Sequence, residues 1–309
     1  MKVSLVVPCF NEEESVDRFY NTVVDVFRDN IEDYEIVFVD DGSRDRTLEK
    51  LRAIYNSSPC VKVVSFSRNF GKEAAIYAGL QNSNGDYTCV IDADLQQRPE
   101  VVVEMKNILD RFPDVDCVAA FQEERKEGKA ITFLKDKFYD VINKITDVEF
   151  YKGASDFRLM RRQMVDAVLD MTEYHRFSKG LFSFVGFNTK YIPYEVQERE
   201  AGESKWSVVK LFKYAIEGII GYTTTPLRIS TAVGIGSILI SFIYLILALI
   251  IGACVHKITA AIAIITLILL MGGLNFVFIG IIGEYLARTY MQGKNRPVYI
   301  AKEILRRDD

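Results

Sequence analysis

The sequence predicts a doubly wound α/β domain followed by membrane-spanning helices, and three observations carry that expectation. Apolar runs rich in β-branched residues recur at Lys2–Val7, Glu35–Val39, Val61–Phe66, Tyr87–Ile91 and Val115–Phe121; continuous runs of this length bounded by turn residues mark strands buried on both faces. Helical stretches separate them, and strand alternating with helix builds a mostly parallel sheet covered on both sides. Two longer apolar runs, about Ile229–Val255 and Ile258–Tyr285, are interrupted only by His256 and Lys257. Each exceeds the roughly 20 residues a helix needs to cross a bilayer, and the short connection makes them an antiparallel hairpin.

Composition narrows the function classes. With 309 residues, 49% of them hydrophobic, the chain can bury a full core. A net charge of −4 argues against a nucleic-acid binder, which must neutralise many phosphates. The five cysteines (Cys9, Cys60, Cys89, Cys117, Cys254) are scattered and mostly within apolar runs, the pattern of buried thiols in a reducing compartment. His175 and His256 are too far apart to suggest a metal pair.

The first predicted strand ends at Pro8, and a helix is expected from Glu12, with Asn11 as its N-cap and Glu14 three residues on. The second ends at Asp40-Asp41-Gly42-Ser43, the third leads into Ser67–Lys72, and the fourth ends at Asp92-Ala93-Asp94, ahead of a helix opened by Pro99. In an open α/β sheet the ligand crevice lies at the carboxyl ends of the strands, so these four loops point at one site. Two carboxylates one residue apart at a strand end can converge on a hard cation such as Mg²⁺ or Mn²⁺, with Gln96 as a third oxygen. Asp114 and Asp116 repeat the spacing but begin a strand, at the wrong edge for a ligand. No Gly-x-Gly-x-x-Gly or Walker loop follows the first strand, which disfavours a backbone phosphate cradle. Asp41 or Glu12 can accept hydrogen bonds from a ribose or base edge; acidic residues at helix starts also serve simply as caps.

After Phe121 the alternation stops. Gln122–Lys129 is a charged run that reads as a solvated loop except at Arg125, which stands out as a functional candidate, and Gly153–Arg158 sets Asp156 among small residues that allow close approach. Glu198–Trp206 is a charged loop leading into an amphipathic helix, Ser207–Tyr222, of the kind that lies in a membrane interface. Lys205, Lys210, Lys213 and Arg228 precede the first span and Arg288, Lys294 and Arg296 follow the second, against Lys257 alone in the hairpin loop. By the positive-inside rule both termini face the cytoplasm. Gly272, Gly273, Gly280 and Gly283 provide for close helix contact, within the hairpin or between copies of the chain.

In this order the motifs Val7–Glu12, Val39–Ser43, Arg68–Lys72, Asp92–Gln96, Ser155–Arg158 and Gly202–Trp206 resemble the family 2 glycosyltransferases of the GT-A fold. The resemblance covers essentially the whole chain and is strongest to the membrane-anchored polyprenyl-phosphate glycosyltransferases, the bactoprenol glucosyltransferase and dolichol-phosphate mannose synthase group. It implies a cytoplasmic GT-A catalytic domain (1–204), a juxtamembrane amphipathic helix (205–228), a transmembrane hairpin (229–287) and a cytoplasmic tail (288–309), in the inner (plasma) membrane. It implies inverting, metal-dependent transfer of a hexose from a nucleotide sugar, a UDP-sugar rather than a GDP-sugar, to polyprenyl phosphate. Pro8, Phe10, Glu12, Asp41, Lys72, Asp92 and Ala93 would bind the nucleotide sugar. Asp92, Asp94 and Gln96 would hold Mg²⁺ or Mn²⁺, Arg125, Arg199, Ser204 and Lys205 would contact donor and acceptor phosphates, and Asp156 would be the catalytic carboxylate. The alternatives are transfer to a hydroxyl-bearing membrane lipid and a catalytically silent scaffold of the same fold. The Gln-x-x-Arg-Trp motif of processive members is absent, so one transfer per acceptor is expected.

Overall fold

The structure is a computed structural model that describes residues 1–122, 154–174, 176–195 and 259–307, together with 143, 151 and scattered helical positions between 227 and 246. In chain order its elements are β1 (Val3–Cys9), α1 (Val16–Arg28), β2 (Tyr34–Asp40), α2 (Thr47–Ser57), β3 (Val61–Phe66), α3 (Lys72–Asn82), β4 (Tyr87–Val90), α4 (Pro99–Arg111), β5 (Cys117–Gln122), β6 (Ala154–Arg161), α5 (Arg162–Leu169), α6 (Ser178–Phe184), β7 (Thr189–Tyr194), α7 (Thr259–Gly293) and β8 (Ala301–Leu305). The strands form one sheet in the order β7-β5-β6-β4-β1-β2-β3-β8.

All five predicted strands are present, in a mixed sheet in which four of the seven strand pairings are parallel. β1 pairs in parallel with β2 and β4, β2 with β3, and β5 with β7; β6 runs antiparallel to both β4 and β5, and β8 antiparallel to β3. The antiparallel β6 matters for the site. Its residue Arg158 faces Val90 at the carboxyl end of β4, so Asp156, two residues earlier, arrives at the edge where β1 to β4 end.

Helix α1 buries Val16, Phe19, Val23 and Phe27, a stripe at helical spacing that packs on the sheet, with Phe19 edge-on to Phe38 at 6.1 Å. Each such side chain stabilises the fold by about 1.5–3 kcal/mol relative to leaving it in water. The predicted start at Glu12 is corrected to Val16. Asn11 does not cap: it adopts a left-handed φ of 54°, its N–H donates to Ser43 Oγ, and its Oδ1 accepts from the Arg44 N–H. An asparagine tolerates that backbone conformation, and here it ties the β1 loop to the β2 loop. Helix α3 is buried continuously from Ala74 to Leu80. A Cβ on Gly79 would lie 2.1 Å from Val6 Cγ1, so glycine lets α3 sit directly on β1 and bring Lys72 to the crevice edge.

Helix α7 has 35 residues and is about 52 Å long at 1.5 Å per residue, beyond a hydrocarbon core of about 30 Å. Its Ile268, Leu270, Phe276, Ile282 and Leu286 are exposed, the surface of a helix that meets lipid or other helices. The helix continues past the predicted end of the span at Tyr285, to Gly293. Among the described residues this is the one helix long and apolar enough to cross a membrane. The predicted first span falls mostly, and the predicted helix 207–222 entirely, outside the described residues, so the two-span hairpin is not established. Within the predicted tail, β8 adds a strand to the edge of β3, with Arg52 paired to Glu303 and Tyr299 stacked on Phe66 at 4.8 Å.

Candidate active site at the carboxyl edge of the sheet

The crevice is built from the loops after β1 to β4. Asp40 and Asp41 are both nearly inaccessible to solvent. Asp40 accepts from the Ser43 N–H (3.1 Å) and from Ser65 Oγ (2.9 Å), fastening its own loop to β3. Asp41 accepts from the backbone N–H groups of Phe70 (2.6 Å) and Gly71 (3.0 Å). It therefore shapes the loop that delivers Lys72, a role the sequence reading, which gave it to a ribose or base, did not foresee. Burial pushes its carboxyl up to about 6, and the two N–H donors act against that rise. Gly42, at φ 66°, must be glycine: a Cβ there would lie 2.5 Å from the Arg68 carbonyl carbon.

Beyond Val90 the chain turns through the carboxylate motif. The Asp92 N–H donates to Gln97 Oε1 (2.9 Å) and Gln97 Nε2 to Asp92 Oδ2 (3.3 Å); the Gln96 N–H donates to Asp94 Oδ1 (3.1 Å), and Leu95 takes a left-handed φ of 58°. The side chain at Asp92 is thus that of buried Gln97, whereas Gln96, the expected third ligand, engages Asp94 through its backbone. Ala93 is buried between the two carboxylates. Lys72 joins the parts: its Nζ lies 2.7 Å from Asp92 Oδ1 and 3.6 Å from Asp156 Oδ2. Burial alone would lower the Lys72 ammonium, but Asp92 and Asp156 raise it above the ordinary range.

Asp156 is buried to all but 14% of its side chain, and its Oδ1 has no hydrogen-bond partner among the described residues. Burial would push its carboxyl up, yet Lys72, Lys179 and Arg158 hold it below the ordinary range. Behind it, Glu73 accepts from both the N–H (2.8 Å) and the hydroxyl of Ser178 at the start of α6. Burial and then the Asp156 charge push Glu73 up to about 7. Neither Glu73 nor Ser178 stood out in the sequence, because their meeting is a long-range contact between two helix starts.

Glu73 makes stability depend on pH. Its folded value lies above its ordinary 4.5, so the fold binds an extra proton between the two; the contribution is full below about 4.5 and lost as pH rises through about 7. Glu73→Gln keeps an acceptor for Ser178 but no charge. It is expected to be more stable than the parent at pH 8, by about 3 kcal/mol at roughly 1.4 kcal/mol per pKa unit, and so to melt higher there, and to melt at nearly the parent temperature at pH 5. Equal loss at both pH values in thermal melts would contradict this.

Among the described residues no three carboxylate, cysteine or histidine groups converge on one ion position. Asp92 and Asp94 lie one residue apart at the strand-end turn, and the Asp92 carboxylate already holds an ammonium at 2.7 Å. That set fits a hard divalent cation that draws its remaining oxygens from a diphosphate and water. Pro8 lies opposite Val39 near the end of β1, and Phe10 is exposed at the mouth. The Glu12 N–H donates to Thr47 Oγ1 (2.8 Å), and its carboxylate accepts from Ser15 Oγ (2.6 Å). Arg125, Arg199, Ser204 and Lys205 lie outside the described residues. Asp116, in contrast to Asp92, starts β5 at the opposite edge and accepts from the Asn188 N–H (3.1 Å).

The chain is similar to known proteins over most of its length. The family model described as glycosyl transferase family 2 matches residues 4–169, from β1 to α5, and so includes Lys72, Asp92, Asp94 and Asp156. A prophage bactoprenol glucosyl transferase homolog of Escherichia coli K12 is 39% identical over 98% of this chain and 99% of its own. The bactoprenol glucosyl transferase of Shigella phage SfV is 38% identical over 98% of each chain. Among solved structures, glucosyl-3-phosphoglycerate synthase of Mycobacterium tuberculosis with uridine diphosphate is 20% identical over 71% of this chain and 78% of its own, with a TM-score of 0.45. By the family match and its full-length relatives, the chain belongs to glycosyl transferase family 2.

Proposed function

We propose that the protein transfers a hexose, glucose from UDP-glucose, to polyprenyl phosphate at the cytoplasmic face of the membrane, inverting the anomeric carbon. The observation that carries the reading is Lys72 bridging Asp92 of the strand-end motif and the half-satisfied Asp156 in one crevice. The near-complete overlap with proteins named bactoprenol glucosyl transferase supports the acceptor and the sugar. Exposed apolar α7 supports attachment to the bilayer where that acceptor resides.

The reaction forms a bond from an acceptor phosphate oxygen to the anomeric carbon while the bond from that carbon to the nucleoside diphosphate breaks, the electron pair leaving with the diphosphate. A bound Mg²⁺ or Mn²⁺, held by Asp92 and Asp94, supplies neutralisation of the leaving group. Pro8, Phe10 and Glu12 at the mouth, together with Ala93, take the nucleotide sugar, and Asp41 sets the loop bearing Lys72. Lys72 neutralises Asp92 and Asp156 and keeps them from repelling one another. A phosphate monoester loses its second proton near pH 6, so the acceptor is already a dianion and a competent nucleophile at neutral pH. Asp156, depressed below the ordinary carboxylate range, is a weak base; its free oxygen faces positive charge that develops on the sugar ring and orients the acceptor. Arg125, Arg199, Ser204 and Lys205 complete the phosphate contacts, for which arginine and lysine are suited.

Membranes containing the protein, incubated with polyprenyl phosphate and a panel of labelled UDP- and GDP-sugars, are expected to give lipid-linked label from UDP-glucose above all. Label from a GDP-sugar alone would replace the donor. Topology has its own check. A membrane-impermeant thiol reagent outside intact cells should label a cysteine placed at Lys257 and not one at Lys294 or Lys302. Since Lys302 lies on β8, in the same sheet as the crevice, its labelling from outside would put the crevice on the wrong side.

A further inference from the structure

Where the end of α7 meets the globular domain lies a cavity of about 490 Å³, lined in part by Tyr77, Gln81, Thr172, Gln292, Arg296 and Tyr299. That volume falls in the range of small-ligand sites, about 300–1,000 Å³. Its walls are fixed by internal hydrogen bonds. Gln292, in the last turn of α7, accepts from the Tyr174 N–H (2.8 Å) and donates to the Thr172 carbonyl (3.1 Å). Opposite, the Tyr299 hydroxyl donates to Gln81 Oε1 (2.9 Å), and Gln81 Nε2 donates to the Tyr77 hydroxyl (3.2 Å).

Among the described residues three of the cationic groups near the cavity have partners. Arg288 pairs with Glu284, Lys294 rests over the Tyr290 ring at 4.3 Å, and Arg176 lies over the Tyr77 ring at 4.3 Å. Arg296 lines the cavity and has no hydrogen-bond or ion-pair partner among the described residues. A pocket with tyrosine hydroxyls, amides and a guanidinium that is unpaired among the described residues suits a singly charged phosphate ester.

Position selects the source of that phosphate. Gln292 lies at the end of the candidate spanning helix Leu270–Gly293, beyond Glu284 and Arg288, so the cavity opens on the polar side of that helix end, the level at which tyrosines gather and lipid phosphates lie. Measured along α3, Tyr77 and Gln81 are about 8 and 14 Å from Lys72, which separates the cavity from the reacting centre. We propose that this cavity binds the phosphate-bearing head group of an anionic membrane phospholipid, distinct from the lipid acceptor. The bound head group holds the end of α7 against α3 and residues 172–174, and so fixes the height of the crevice above the bilayer. The proposal rests on the membrane reading of α7 and not on the identity of the sugar or acceptor.

The test is native mass spectrometry of the full-length protein in detergent with added phosphatidylglycerol, phosphatidylcholine or inorganic phosphate. One phosphatidylglycerol is expected to remain bound at concentrations where phosphatidylcholine and inorganic phosphate do not. Arg296→Glu is expected to weaken it by about tenfold or more, the loss of one charge-assisted contact. Thr172→Trp, which fills the cavity and leaves its charge intact, should do the same, while the charge-matched Lys302→Glu, outside the cavity, should not. Equal binding of inorganic phosphate, retention by both cavity variants, or equal loss in Lys302→Glu overturns the site. Vesicle flotation separates the two layers of the argument: a parent protein that fails to float removes the membrane reading, whereas lost lipid selectivity with flotation intact removes the cavity assignment alone.

Discussion

Asp94→Ala is expected to reduce sugar transfer by about 10³-fold or more with the fold intact, because it removes one of the two carboxylates that the strand-end turn offers to a cation. Asp94 lies at a partly exposed turn, where it accepts from the Gln96 N–H, so melting should change little beside the loss of activity. Asp114→Ala is the matched control. It carries the same residue spacing but lies at the opposite edge of the sheet, and what Asn188 uses there is the Asp114 backbone carbonyl, which alanine keeps. Chelation by EDTA should reproduce the Asp94 loss in the parent protein, and restored Mg²⁺ or Mn²⁺ should reverse it. Full activity in the chelated enzyme would remove the metal assignment.

The second large effect is expected at Asp156. Asp156→Asn should lower the rate by about 10²–10³-fold, the range for losing one preorganised electrostatic group. The more telling readout is pH. If the acceptor phosphate is the titrating group, the variant keeps the rise in rate across roughly pH 5 to 7. A general base would leave a different trace: the acidic limb would vanish, and a small added carboxylate would restore part of the rate. The structure bears on which to expect, since Lys72, Lys179 and Arg158 hold Asp156 below the ordinary range, and a carboxylate so stabilised accepts a proton poorly. Profiles must be taken at saturating donor and metal, under single-turnover conditions, so that chemistry and not lipid release is observed.

What the sequence disclosed and what it withheld divide along the range of the interactions. Buried parallel strands announce themselves locally, as apolar runs that stop at Pro8, Asp40, Phe66 and Ile91, and Asp92-x-Asp94 could be read because it followed such a run. Neighbour choice in the sheet could not. β6 contains Asp156, Arg158 and Arg161 and is not predicted as a strand, since its placement depends on antiparallel register with β4 and β5. β8 is five residues with alternating exposure at the sheet edge, a pattern too short and too polar to stand out after a long apolar helix. The same limit applies to the site. Lys72 was legible as a motif member, but its bridge to Asp156 spans 84 residues of chain and exists only because β6 reverses beside β4. The adjacent glutamines show the finer limit: the sequence singled out Gln96, whereas after the left-handed turn at Leu95 it is the Gln97 amide that reaches Asp92.

The central claim is that this crevice joins a hexose to a lipid phosphate, and the chemical linkage in the product tests it most directly. Purified protein in bilayer nanodiscs would be supplied with UDP-glucose, Mg²⁺ and polyprenyl phosphate alongside a hydroxyl lipid such as diacylglycerol. Lipid extracts would then be analysed by mass and by phosphorus and proton NMR. The account predicts a product one hexose heavier than polyprenyl phosphate, with the phosphate converted from monoester to diester, the anomeric configuration opposite to that of the donor, and none of it formed by Asp94→Ala. Glucose on the hydroxyl lipid with polyprenyl phosphate untouched, or a product with the donor's own configuration, would contradict it.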